Sequence, residues 1–355
     1  SREWNGSLFI VVPGGSPDDE AVIDLKFDGL AGYYYNVVAN NNGPPGMDGR
    51  SDPDWSNTLV EEYRIYLNMP TDATYTIIEP SISNVSFSGG PGGCNSIDPL
   101  APTTGDFNFT SNVDGNYHII CDLSGDSTYD MSSDDDLHLL GDATAGDNVV
   151  NWDGTDNTGA PIGYGSYDCI IRLTVGEFHW VASDVETSYE GLRMFRVGGG
   201  GSRSGLYMYW NDVLVQGQAQ NMPNPPGVRG LETSGPDGVW AGLYGASALA
   251  NSNSRGWGAF NSGGKGNENL LNTYTYIEVN ESLEIQVVAE DSSTDADGDG
   301  LSCWVEQCTY GTDCDDDDSD DDGLRDDDEV NIHLTDPTND DSDTDGLTDG
   351  YEVGT

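Results

Sequence analysis

Positive charge is scarce in this chain. Its 355 residues include 12 lysines and arginines against 63 aspartates and glutamates, a formal net charge of −51, and only Lys26 and Lys265 are lysines. So acidic a surface repels polyanions, which argues against nucleic acid and anionic membranes as partners. Long apolar runs are missing too, and no stretch approaches the roughly eighteen residues of a membrane span. Catalytic signatures are equally sparse. His118, His138, His179 and His333 lie far apart, without an H-E-x-x-H zinc motif or a G-x-S-x-G elbow. The glycine run at Gly198 lacks the Lys-Ser/Thr of a phosphate loop. Acids are so abundant that a carboxylate pair carries no information, so no catalytic residue is assigned and the chain is read as non-enzymatic. A start at Ser1 without methionine or signal peptide is what a mature secreted protein shows.

Six cysteines fall in two groups, Cys94, Cys121 and Cys169, then Cys303, Cys308 and Cys314. Their even number and the absence of zinc-ligand spacing predict disulfides, and with them an oxidising compartment. With three in each group, either one bridge joins the groups or one thiol in each stays free.

What is abundant is aspartate, and in the last sixty residues it is ordered. Between residues 291 and 355 there are 24 acids and one base, Arg325. Asp295, Asp297, Asp299, Gly300 and Glu306 are followed by Asp318, Asp320, Asp322, Gly323 and Glu329, then by Asp341, Asp343, Asp345, Gly346 and Glu352. The glycines recur 23 residues apart, as do the glutamates. The pattern D-x-D-x-D-G-x5-E is that of a calcium loop. Acids at loop positions one, three and five give side-chain oxygens, and glycine at six permits the turn. Position seven gives a backbone carbonyl, so its side chain is free to be apolar, as in Leu301, Leu324 and Leu347. Glutamate at twelve closes the shell with both oxygens. Position nine is Asp326 in the second unit and Asp349 in the third but Cys303 in the first, so the first site is expected to lack one usual ligand or to replace it with water. Hard oxygens in a flexible ring favour Ca2+ over magnesium, which demands a tight octahedron, and over zinc.

Only eleven residues separate Glu306 from Asp318, too few for an exiting and an entering helix, and Val330, Ile332 and Leu334 alternate like a short strand. The tail therefore resembles thrombospondin type 3 repeats, departing from them at Cys303. The resemblance implies a calcium-stiffened stalk with little regular secondary structure, of a kind common at cell surfaces. A dockerin-like module is the alternative, and it requires a helix after each loop, which the sequence does not suggest. The chain stops where a further turn is expected, so a continuation beyond Thr355 is anticipated.

The rest reads as all-β. A first β domain covers residues 1–87, with strands at Leu8–Val12, Ala21–Phe27, Tyr33–Val38, Tyr63–Leu67 and Tyr75–Ile78 and a long surface loop at Asn40–Asp54. Residues 88–105 form a Gly/Pro linker. Residues 106–197 include Val149–Trp152, an Asp-Gly turn, a second turn at Asn157–Gly159 and a strand from Tyr167 through Leu173. Trp152, Asp153, Gly154, Asp156, Gly159, Gly165 and Tyr167 give this segment a resemblance to the immunoglobulin-like domain of the flagellar hook-capping protein family of bacterial secreted proteins. That implies a β-sandwich spacer, with Trp152 and Tyr167 as core or corner residues. Residues 198–205 read as a Gly-rich joint. Residues 206–290 read as another β domain, with strands at Leu206–Trp210, Val213–Val215, Tyr274–Val279 and Leu283–Ala289. Within it Asn221–Gly266 carries Trp240, Trp257 and Phe260. The repeats occupy 291–355.

The expected protein is thus a multi-domain β-sandwich, immunoglobulin-like in part, with a calcium-binding stalk. As an extracellular or cell-surface structural subunit it would associate with itself or with other surface proteins and glycans, and Leu8–Val12 is the candidate strand for pairing between subunits. A calcium-dependent adhesin or carbohydrate-binding protein is the alternative, and a secreted glycoside hydrolase a second one.

Overall fold

Glu20–Ala31 is the kind of strand that seeds a sheet, because Ala21, Ile23, Leu25 and Phe27 share one face and Val22 and Asp24 the other, all buried. The computed structural model describes residues 4–31, 36–47, 49–101, 103–129, 135–183, 187–215, 231–232, 241–243, 255–256 and 269–354. Strand accounts for 41% of the chain and short helices for 11%, an all-β outline. Among the described residues no helix is long and apolar enough to cross a membrane.

The chain packs as two units, each assembled from separated segments. The first comprises Ser1–Ser83, Thr110–Asn148 and Ile170–Leu283. Here Glu20–Ala31 pairs antiparallel with Trp4–Pro13 on one side, Ile10 opposite Ile23, and with Thr187–Val197 on the other, Lys26 opposite Arg193. Segments expected in successive domains are therefore interleaved in one sheet. A second sheet sets Phe178–Ser183 between Asn36–Asn40 and Leu271–Thr275. One core joins Ile10, Ile23, Leu25 and Phe27 of the first sheet to Ala39, Phe178, Trp180 and Leu271 of the second.

The opposite face of the first sheet is not left to solvent. Phe9, Val22 and Val197 form a smaller cluster against Tyr66, Met69, Ala73 and Tyr75. Asp24, fully buried there, is ion-paired with Arg203. Leu8–Val12 is no free donor strand, since it is paired along its length with Glu20–Ala31 and again, at Phe9 and Ile10, with Ile65–Tyr66.

Several local expectations fail for local reasons. Tyr75–Ile78 is not a strand, and Tyr75 sits at φ 59°. Val213–Val215 is a single 3-10 turn. The joint at residues 198–205 is a turn that returns Arg203–Gly205 onto Thr187–Val197 as a hairpin. The loop at Asn40–Asp54 is pinned: Ser51 and Asp52 are buried, Ser51 donates to Asp212 at 2.7 Å, and Asn272 donates to the Gly49 carbonyl at 2.9 Å. Residues 33–35 and nearly all of Asn221–Gly266, including Trp240, Trp257 and Phe260, lie outside the described residues.

The second unit comprises Asn84–Phe109, Val149–Cys169 and Glu284–Thr355. Its apolar centre is aromatic. Phe87 and Phe107 lie 4.8 Å apart between ring centroids, with Trp152 5.9 Å from Phe107. Gly105 is required beside them, because a Cβ would come within 2.1 Å of the Phe87 ring. Trp152 is core as expected, its indole N–H donating to the Thr155 carbonyl at 2.8 Å, and the Tyr167 hydroxyl donates to the Gly163 carbonyl at 2.8 Å. Residues 88–105 are no loose linker. Ser96–Ile97 pairs parallel with Ile285–Ala289, Ile97 is fully buried, and Cys94 is bridged to Cys308. A second bridge joins Cys303 to Cys314. Cys121 and Cys169 are disulfide-bonded as well, so one bridge does join the two cysteine groups and no described cysteine is free.

Candidate metal centres

The three acidic loops share one backbone. Their position-six glycines, Gly300, Gly323 and Gly346, lie at φ 109°, 97° and 97°, a region that side-chain-bearing residues avoid. At position five Asp299, Asp322 and Asp345 accept the N–H of Leu301, Leu324 and Leu347 at 2.7–3.0 Å. Position one behaves alike in the later loops: Asp318 and Asp341 accept the Gly323 and Gly346 N–H groups at 3.0 and 2.8 Å.

After each loop the chain turns helical, contrary to the sequence reading. Cys303–Val305 continues as a wider turn, Glu306–Tyr310; Asp326–Asp328 continues as Glu329–His333; Asp349–Val353 follows the third loop. Ser302 and Thr348 cap the first and third segments by accepting the N–H groups of Val305 and Tyr351. Val330, Ile332 and Leu334 are thus helical or terminal, not a strand, and Ile332 and Leu334 face solvent. The second segment places Asp326, Asp327 and Asp328 in its first turn, where the helix dipole favours negative charge.

The helices bring together acids from neighbouring repeats. Oxygens of Asp299, Glu306 and Asp326 lie within 4.8 Å of one another, and so do those of Asp322, Glu329 and Asp349. Position nine of the second and third loops thus lies beside the acids of the loop before it. Cys303 occupies that position in the first repeat, and it is spent on a disulfide. At the first loop, where position nine is a cysteine, the acid beside Asp299 and Glu306 is Asp326 of the second repeat. A backbone contact repeats the same offset: the Asp327 N–H donates to Asp299 at 3.1 Å and the Gly350 N–H to Asp322 at 2.7 Å. Within the first two loops a further group also forms, with Asp295 and Asp297 beside Asp299, and Asp318 and Asp320 beside Asp322.

Glu306 and Glu329 are fully buried. Each has one oxygen held by a threonine, Thr312 at 3.3 Å and Thr335 at 2.9 Å, and the other oxygen without a hydrogen-bond partner. Burial, with Asp297 and Asp299 close by, pushes the Glu306 carboxyl up to about 7. Burial, with Asp320 and Asp322 near, pushes Glu329 up to about 7 as well. Asp297, Asp320 and Asp326 are raised by burial too. In the third loop Asp343, Asp345 and Glu352 are exposed.

Sequence reasoning missed the sharing of position nine, yet a signal existed at the same 23-residue interval. Ser319 donates to Asp326 at 2.8 Å through its hydroxyl, and the Ser342 N–H donates to Asp349 at 3.2 Å. In the first repeat the equivalent pair is Ala296 and Cys303, so serine and aspartate appear and vanish together.

A buried carboxylate of a different kind lies in the first unit. Glu177 accepts from Nε2 of His118 at 2.8 Å and from Nε2 of His179 at 2.9 Å, and the Thr174 hydroxyl also donates to it. His179 stacks on Tyr274, centroids 4.6 Å apart, and its Nδ1 lies 3.0 Å from the Asn272 amide nitrogen. Burial would raise the Glu177 carboxyl, but the two imidazoles outweigh it and hold the group well below the usual carboxylate range. No family model, curated protein or solved structure matches this chain.

Proposed function

We propose that the chain is a calcium-stabilised, non-enzymatic extracellular protein, a structural subunit of a bacterial surface, filament or appendage. The observation that carries this reading is the pair Glu306 and Glu329, buried carboxylates beside other carboxylates, each with an unpartnered oxygen. Buried negative charge needs a partner, and a divalent cation is the one that fits an all-oxygen donor set. Asp295, Asp297, Asp299, Glu306 and Asp326 would hold one ion. Asp318, Asp320, Asp322, Glu329 and Asp349 would hold a second, and Asp341, Asp343, Asp345 and Glu352 a third with fewer ligands. The cation supplies positive charge. The chain supplies the turn at each glycine, the threonine that orients each glutamate, and the helix that carries the next aspartate back.

On this reading the tail is a calcium-stiffened connector, ordered at the millimolar calcium found outside cells, since extracellular calcium modules bind at about 10⁻⁴ to 10⁻³ M. The β regions are spacers. A β-sandwich draws support from two sheets sharing one core in the first unit, and an immunoglobulin-like element from the Trp152 turn and Tyr167 corner in the second. Disulfides suit an oxidising exterior. Self-association or attachment to other surface molecules would be the working state.

Calorimetric titration of chelated protein with calcium, with magnesium as control, tests the proposal. Saturable calcium uptake in that range, with a raised unfolding midpoint, supports it. Absence of heat and of any thermal shift would sink it. Negative-stain images with calcium and after chelation then separate an assembling subunit, seen as filaments or lattices, from a monomeric connector.

A further inference from the structure

A cleft of about 740 Å³ opens in the first unit beside the strand Asn36–Asn40. That volume is in the range of small-ligand sites. Its floor includes Val38, Ser183 and Leu270, which are 6%, 7% and 1% exposed. Trp55 stands at the cleft with 61% of its surface in solvent. A lone exposed apolar residue needs no explanation, but an exposed tryptophan on a locked turn beside a cleft does.

The turn is locked on both sides of Trp55. Asp52, 2% exposed, is fastened to the backbone of Leu270 in both directions, at 2.9 and 2.8 Å. Its carboxylate accepts the Asp54 N–H at 2.8 Å and the Asn57 amide at 2.6 Å. Asp54 in turn accepts the Ser56 N–H at 2.9 Å and its hydroxyl at 2.6 Å. A platform ordered in advance costs little entropy when a ligand arrives.

The chemistry around the ring is polar but almost uncharged. Asn36, Asn57 and Thr58 line the cleft with amide and hydroxyl groups, Glu61 adds one carboxylate, and no lysine or arginine is among its described lining residues. A flat apolar ring beside amides, a hydroxyl and a carboxylate complements a sugar, which has one C–H face and a rim of hydroxyls. Anionic sugars would find no counter-charge there, on a chain of net charge −51.

We propose that this cleft binds a neutral saccharide, stacked on Trp55, with its hydroxyls hydrogen-bonded to Asn36, Asn57, Thr58 and Glu61. The inference goes beyond the cation-stabilised tail and does not rest on it. The test uses the full chain in calcium buffer. It is applied to an array of neutral, sialylated and sulfated glycans, and then titrated with cello-, chito- and malto-oligosaccharides and β-galactosides. Binding to a neutral class is expected, weakened roughly tenfold or more in Trp55→Ala and less in Trp55→Phe. Trp55 is exposed, so an unchanged unfolding midpoint certifies that the variant is folded. No neutral binder, a preference for anionic glycans, or Trp55→Ala binding like the parent would each overturn the proposal. So would an extended-peptide library that depends on Trp55 while no glycan binds.

Discussion

Glu177 in the first unit and Glu306 and Glu329 in the tail are equally hidden from water, yet burial leaves them in opposite states. Glu177 is driven down because His118 and His179 bring the counter-charge within hydrogen-bond distance. Glu306 and Glu329 are driven up to about 7 because their neighbours are other acids. Desolvation is common to all three, so the difference is the source of the compensating charge. Glu177 finds its counter-charge within its own unit, whereas Glu306 and Glu329 face other carboxylates.

The sharpest break of that comparison is Glu177→Ala, which strands two buried histidines and should destabilise the first unit by about 3–5 kcal/mol, with or without calcium. Urea unfolding in calcium and in chelator reads it, and a calcium-dependent loss would contradict the closed-site account. The pH dependence has a definite sign. The folded Glu177 carboxyl is depressed, so its stabilisation is present above the unfolded value of about 4.3 and is lost as pH falls through and below it. The gap between the parent and Glu177→Ala should narrow under about pH 4.

Calcium itself should give the next largest effect. At several millimolar, two filled sites add about 2–4 kcal/mol to the tail by mass action, visible as a chelation-sensitive transition in differential scanning calorimetry. Glu306→Gln should then reverse sign with conditions. In chelator it removes a buried unpaired charge and stabilises by about 1 kcal/mol; in calcium it removes a ligand and destabilises by a similar amount. A single sign under both conditions would refute the open-site description. Smallest, Asp326→Asn should weaken the first site about tenfold, roughly 1.4 kcal/mol, while Asp349→Asn spares it and weakens the second. Site-resolved titration by NMR of the loop glycines distinguishes this offset from loops that each use their own position nine.

The loops were legible because their chemistry is local: three aspartates, a glycine and a glutamate in twelve residues define one turn. What escaped is non-local or competing. Asp326 and Asp349 lie beside the acids one repeat upstream, which only the paired recurrence of Ser319 and Ser342 announces. Val330, Ile332 and Leu334 have strand-like spacing, but a five-residue alternation is too short to outweigh a helix start carrying three aspartates in its first turn. In the β regions, strands such as Trp4–Pro13 and Gly165–Val175 follow from apolar pattern. Pairings such as Lys26 with Arg193 do not, because nothing in either segment names its partner. Glycine and proline content made residues 88–105 look like a linker, although Ile97 and the Cys94 bridge tie them down.

Because each acidic loop is roofed by the helix of the loop after it, the tail has a direction. Its leading end is riveted by the Cys303–Cys314 and Cys94–Cys308 bridges, whereas the Asp341–Glu352 loop is open. In a one-dimensional array of this sort, loosening among these three loops travels toward the rivet, one 23-residue step at a time. Hydrogen exchange should therefore be graded, fastest around Gly346 and slowest around Gly300. A uniform rate along the tail would mean that the loops open independently of one another.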